Sequence, residues 1–199
     1  MESVAVLGLG NPGSRYRATR HNLGFMVLEE LAGRWASRFR AGKGPYDIAQ
    51  TVLEPEGRQV YLVAPLTMMN GSGAAASDII ERYDVPLSAM LVVLDDFWLP
   101  LGNLRFRRQG SDGGHNGLAS IIESVQSDAF PRLRLGIGKV AMPPKSEMAD
   151  FVLSPFDEEE KPAILDMIHR AADAVEDFAR TGSASPKNPR DTESDGDTA

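Results

Sequence analysis

The chain has 199 residues, 42% of them hydrophobic and 25% charged, the make-up of one well-buried globular domain. Without cysteine it has neither a disulfide framework nor a thiolate metal or redox site, which fits a reducing compartment, and no apolar run reaches the roughly 18–20 residues of a membrane span. The formal charge of −7 excludes a uniformly basic nucleic-acid binder, yet residues 103–145 hold seven Lys/Arg against three Asp/Glu while 146–199 hold five against fourteen. The middle of the chain is thus basic and its C-terminal part acidic.

No leader is expected at the start, where Glu2 occupies the place of a basic n-region. Residues 3–7 read as a short apolar strand, and Leu23, Met26, Val27, Leu31 and Trp35 recur at the spacing of a core-facing helix. Between them, GNPGSRYRATRHN (residues 10–22) holds His21, one of only three histidines. Residues 47–53 and 58–64 flank the turn Glu54-Pro55-Glu56-Gly57 and predict an antiparallel hairpin, so the sheet should be mixed. The remaining pattern is a helix over 74–83, a buried strand over 90–94, a strand over 104–107, a helix after Asn116, a strand over 132–137 and a helix over 158–180. This alternation predicts an α/β fold, a single domain with a mixed twisted β-sheet flanked by helices. From residue 183 onward almost nothing is apolar, which divides the chain into a folded domain, 1–182, and a disordered acidic tail, 183–199.

Gly8-Leu9-Gly10-Asn11-Pro12-Gly13 has the form of a dinucleotide-binding fingerprint. That motif requires its glycines to open a helix and an acidic residue about 20 positions on. Here Pro12 and residues 14–20 prolong the loop, and Leu28 stands where the acid should be, so no nucleotide cofactor is expected. The glycines would serve a sharp turn at a strand's carboxyl end.

Polar groups gather on the other loop ends: Asn70 in TMMNGSG, Asp95 closing VVLDD, His115 and Asn116 in GGHNG. N-capping is the plain alternative for both asparagines, a turn residue for Asp95, and a core histidine for His21. Together with Asn11 the set suits hydrolysis by an activated water. The histidine takes the proton, the carboxylate fixes its tautomer, and the amides hold the water and the oxyanion. No serine elbow or cysteine offers a covalent route. Arg105, Arg107, Arg108, Arg132 and Arg134 alternate with apolar residues in two strands, so several should share a sheet face, either as a solvated surface or as a polyanion site.

These residues resemble the bacterial-type peptidyl-tRNA hydrolase family through five ordered motifs. They are V-x-G-L-G-N-P-G-x-x-Y-x-x-T-R-H-N at 6–22, P-x-T-x-M-N-x-S-G at 65–73, D-D-x-x-L-P-L-G at 95–102, G-G-H-N-G-L at 113–118 and R-L-R-x-G-I-G at 132–138. The resemblance implies an esterase that frees tRNA from a peptide or N-blocked amino acid, with no metal and no organic cofactor. It implies a cytoplasmic monomer that grips the acceptor stem and 3′ end of peptidyl-tRNA and needs no membrane. By position, His21 resembles the general base, Asp95 its carboxylate, and Asn11 the asparagine that tells blocked from free substrate. Asn70 and Asn116 match amides at the 3′ end and the attacking water, Tyr16 and Met68 tRNA contacts, and Arg107 and Arg134 cations on the 5′ phosphate. The chain departs from the family where Phe97-Trp98 replaces a usual Leu-Asp and where Asp112 adds a negative charge. A catalytically silent RNA-binding relative is the alternative.

Overall fold

A computed structural model describes residues 3–188. Seven strands form one sheet: β1 (Val4–Gly8), β2 (Arg40–Ala41), β3 (Tyr46–Leu53), β4 (Arg58–Pro65), β5 (Met90–Pro100), β6 (Leu104–Arg107) and β7 (Arg132–Gly138), in the order β2-β3-β4-β1-β5-β7-β6. The centre, β4-β1-β5-β7, is parallel, while β2–β3, β3–β4 and β6–β7 are antiparallel, so the sheet is mixed as the hairpin predicted. Parallel strands covered on both faces read as continuous apolar runs. Leu91, Val92, Val93 and Leu94 of β5 are all fully buried, each contributing about 1.5–3 kcal/mol relative to exposure.

The helices are α1 (Leu23–Arg34), α2 (Gly73–Tyr83), α3 (Asn116–Val125), α4 (Met148–Val152) and α5 (Lys161–Thr181). Right-handed crossovers place α1 on one face and α2 and α3 on the other, because the path from β1 to β4 runs opposite to those from β4 to β5 and on to β7. Accordingly α1 packs with α5, and α2 with α3. The reversal of direction at β1 opens the crevice where such sheets place their sites.

Four expectations are corrected by the packing. The run at 90–94 continues to Pro100, because β7 goes on pairing with β5 after β1 has ended at the Gly8–Val93 register. Asp95 therefore lies inside a strand. The C-terminal helix begins at Lys161, with Glu160 as its N-cap and Pro162 in its first turn. Gly8 serves close packing and not a turn, since a Cβ there would lie 2.4 Å from the Gly24 carbonyl oxygen. A Cβ on Gly24 would in turn lie 2.2 Å from the Leu9 nitrogen, so α1 sits directly on β1.

The fourth concerns the tail. Residues 183–188 lie against the domain: Ala184 is buried, the Lys187 carbonyl accepts from Arg170, and Asn188 Oδ1 accepts from the Leu104 N–H at 2.6 Å. Backbone hydrogen bonding here compensates for the lack of apolar side chains. The rest of the expected tail, 189–199, lies outside the described residues.

Candidate active site

His21 ends the loop after β1, in a 3-10 turn over Arg20–Asn22 that runs straight into α1. Its Nδ1 lies 2.8 and 3.1 Å from the two carboxylate oxygens of Asp95, and both residues are buried. His115 meets the same carboxylate, with Nε2 3.1 Å from Asp95 Oδ1. His115 is the N-cap of α3, and its Nδ1 accepts from the Leu118 N–H at 3.3 Å. That acceptor role leaves the proton on Nε2, so the neutral ring donates to Asp95. Asp95 thus receives two imidazole N–H groups, and the His21 and His115 rings stand 4.7 Å apart.

Burial of the Asp95 carboxyl would raise its pKa, but the two imidazoles outweigh burial and hold it well below the ordinary carboxylate range. An ionised Asp95 fixes the proton of His21 on Nδ1 and leaves Nε2 as a free acceptor. His21, Asp95 and His115 are also, among the described residues, a grouping whose nitrogen and oxygen atoms all lie within 4.8 Å. In the structure those atoms hydrogen-bond one another and the α3 backbone.

A cavity of about 640 Å³ opens on this pair, and its lining includes His21, Asp95, Asn116, the Gly113-Gly114 turn, Phe97, Trp98, Met142, Met148 and Val152. Asn116 is exposed at the first position of α3, behind the His115 cap, and Asn70 is exposed in the turn Met69–Gly71. Neither caps a helix: the N-cap of α2 is Ser72, whose hydroxyl donates to the Met69 carbonyl, and that of α3 is His115. The plain alternative for both asparagines therefore falls away. Asn11 is buried, and its Oδ1 accepts from the Met69 N–H at 2.8 Å. It also exchanges backbone bonds with the Asn22 side chain at 2.9 and 3.0 Å. It joins the β1 loop to the Asn70 turn and lines a neighbouring hollow with Asn22 and Phe25.

The loop is anchored from far away. The guanidinium of Arg20, buried beside His21, lies 4.8 and 4.9 Å from the Phe151 and Phe156 ring centroids. It donates to Glu160 at 2.6 Å and to the Pro155 carbonyl. Asp157 lies 3.7 Å from Arg20, and Lys139 joins both acids, 3.2 Å from Glu160 and 2.7 Å from Asp157. This clamp ties the His21 turn to the segment carrying α4.

The β6–β7 register sets Arg105 opposite Arg134 and Arg107 opposite Arg132, so all four share a sheet face as expected. They are not equivalent. Arg132 is fully buried and donates to the carbonyls of Phe130, Gly110 and Asp128, and burial with the nearby Arg134 charge pushes its pKa down to about 10. It belongs to the structure and not to the basic surface. Arg134 is 3.3 Å from Asp96 and donates to the Ser111 carbonyl at 2.8 Å. Arg105, Arg107 and Arg108 are exposed. Tyr16 accepts from its neighbour Arg15, and Met68 is exposed; neither lines the cavity. Asp112 closes a turn, accepting from the Gly114 N–H at 2.7 Å.

His115 as a second donor to Asp95 and Glu160 as the partner of Arg20 were missed from sequence. Both pairings cross many residues and have no local signature.

A histidine with one nitrogen committed to a buried carboxylate, facing a cavity beside an unengaged amide, is the equipment of a hydrolase. The chain belongs to the peptidyl-tRNA hydrolase family, whose model matches residues 5–194, and it is an enzyme of that hydrolase family. It is 47% identical over 177 residues to a peptidyl-tRNA hydrolase of Chlorobaculum parvum, which covers 89% of this chain and 92% of the relative. It is 41% identical over 176 residues to one of Listeria monocytogenes, with 88% and 92% covered. The crystal structure of peptidyl-tRNA hydrolase from Acinetobacter baumannii is similar at a TM-score of 0.83 and 31% identity, covering 89% of each chain. Among the described residues no helix is long and apolar enough to cross a membrane.

Proposed function

We propose that the protein cleaves the ester between a peptide, or an N-blocked amino acid, and the 3′ ribose of tRNA, with His21 activating the attacking water, and so returns tRNA from peptidyl-tRNA released before termination. The observation that carries this reading is the His21–Asp95 pair, 2.8 Å apart, with Nε2 unengaged at the wall of a cavity. Water gives its proton to Nε2 as its oxygen bonds to the ester carbonyl. The resulting oxyanion collapses, and the ribose oxygen leaves with the proton returned from His21. The products are a peptide carboxylate and a tRNA with a free 3′ hydroxyl.

Asp95 keeps the imidazole in the useful tautomer and stabilises the imidazolium. Asn116 and Asn70, with side chains uncommitted among the described residues, hold the water and the 3′ end. Asn11, buried and bonded to Met69, reads the blocked amino group. Arg107 and Arg134, with Tyr16 and Met68, hold the acceptor stem, and the protein works as a cytoplasmic monomer where its substrate is made.

Turnover of N-acetylaminoacyl-tRNA, measured beside filter binding of uncharged tRNA, tests the reading. His21→Ala should lose roughly 10²- to 10⁴-fold in rate while tRNA binding stays near wild type and the chain still folds. Binding without turnover in the wild-type protein would sink it in favour of an RNA-binding role, and near-normal turnover in the variant would make His21 structural.

A further inference from the structure

The aromatic pair that departs from the family pattern forms part of the cavity. Phe97 and Trp98 lie in the irregular stretch of β5 between Asp96 and Pro100, their rings 5.0 Å apart. Trp98 is 71% exposed, although burying an aromatic ring contributes more than almost any other side chain. Its position is fixed by the backbone: the Trp98 N–H donates to Asp96 Oδ1 at 2.8 Å, while Asp96 Oδ2 takes the Arg134 guanidinium at 3.3 Å. Asp96 therefore joins the aromatic pair to the arginine-bearing strand. Arg134 of β7 pairs with it, and the aromatic pair that follows it lines the cavity together with Met142, Met148 and Val152.

We propose that this aromatic shelf, Phe97 and Trp98 with Met142, Met148 and Val152, is a subsite for apolar side chains of the peptidyl part of the substrate. This rests on the ester hydrolysis proposed above. A peptidyl-tRNA has one polyanionic half and one neutral half, and the exposed arginines of β6 and the aromatic pair of β5 are different groups of side chains suited to each. No arginine is in the lining of the cavity, whose charged residues are buried Asp95 and exposed Lys145. Methionines adapt to side chains of different shape, and an exposed aromatic beside a reacting centre gives apolar side chains a surface to cover. The enzyme should then discriminate by acyl group, favouring large apolar residues at the ester.

The test charges one tRNA body with either N-acetylphenylalanine or N-acetylglycine and compares kcat/KM. Wild type should favour the phenylalanyl ester, and Trp98→Ala should reduce the phenylalanyl-to-glycyl ratio about tenfold, the scale of one lost aromatic contact. Phe97→Leu combined with Trp98→Asp, which restores the usual family pair, should reduce it at least as far. An unchanged ratio, whether both rates fall or neither does, overturns the proposal and would assign the shelf to the nucleotide end or to the fold.

Binding is read separately from turnover. Trp98 is the exposed member of two tryptophans, so N-acetylphenylalaninamide should change the wild-type tryptophan emission saturably. N-acetylglycinamide should not, and neither should change the Trp98→Ala protein. No saturable change in wild type overturns the shelf even if the esterase is active. Failure of wild type to cleave either ester, with the emission change intact, would instead overturn the hydrolytic reading.

Discussion

At the scale of single residues, each polar group in the site makes a different set of bonds, and substitutions should separate accordingly. Asn70 and Asn116 cap nothing, so alanine at either should shift stability by only about 0.5 kcal/mol while lowering kcat about 10²-fold through loss of an amide at the water or oxyanion. Asn11 accepts the buried Met69 N–H. Alanine there should cost about 1–3 kcal/mol in denaturant unfolding as well as rate. Equal stability losses at all three would return them to a structural role. Asp95 makes a prediction about acid. Its carboxyl is held below the ordinary range by His21 and His115, so the unfolded chain, titrating near about 3.9, takes up the proton first. The stabilisation is fully present above about pH 5 and is lost as pH falls through the folded value. Unfolding curves of Asp95→Asn should therefore depend on pH in that window less than wild type, by up to about 1.4 kcal/mol per pH unit. Identical slopes would mean the carboxylate is not so held.

At the scale of elements, β6 and β7 present neighbouring arginines with different duties. Arg107 is exposed, and its one hydrogen bond within the described residues goes to the Phe106 carbonyl. Arg107→Ala should raise KM for a full tRNA ester and flatten its salt dependence by about one phosphate contact, with no effect on a short 3′ fragment ester. Arg134 also steadies Asp96 and the Ser111 carbonyl beside the Gly113 turn, where a Cβ on Gly113 would lie 2.9 Å from its guanidinium. Its removal should damage turnover of both substrates. A fragment as sensitive to Arg107 as to Arg134 would contradict this division.

The elements were legible where pattern and environment agree. Alternation gave β6 and β7, and the Glu-Pro-Glu-Gly turn gave the β3–β4 hairpin. The end of β5 was not legible, because Asp-Asp-Phe-Trp looks like a loop and becomes a strand only through pairing with β7. β2 is two residues long and α4 five, too short for a period to register. The burial of Arg132 was hidden because arginine usually lies at the surface, and its carbonyl partners come from separate loops. In the same way, sequence motifs picked out His21 and Asp95 but not the convergence of His115 on the same carboxylate.

At the scale of the molecule, residues 183–188 close over α5 and β6 through the Lys187 and Asn188 contacts. Deleting 189–199 should leave turnover within about twofold and melting unchanged, since that acidic composition offers little to bury. Deleting 183–199 should cost about 1 kcal/mol for each lost hydrogen bond. Thermal melts of the two truncations distinguish the cases, and equal effects would mean the 183–188 contacts add nothing.

The Arg20–Glu160 clamp spans 140 positions of the chain, and this orders events during synthesis. A nascent copy completes the histidine turn and Asp95 well before the acid that anchors them has been translated. Until then Arg20 has neither its aromatic neighbours nor its carboxylate, and the turn holding His21 lacks its link to the segment carrying α4. A member of the peptidyl-tRNA hydrolase family is itself a peptidyl-tRNA while being made, and until Glu160 is translated the Arg20 of its histidine turn lacks this carboxylate. A fragment ending at residue 155 should accordingly show no turnover.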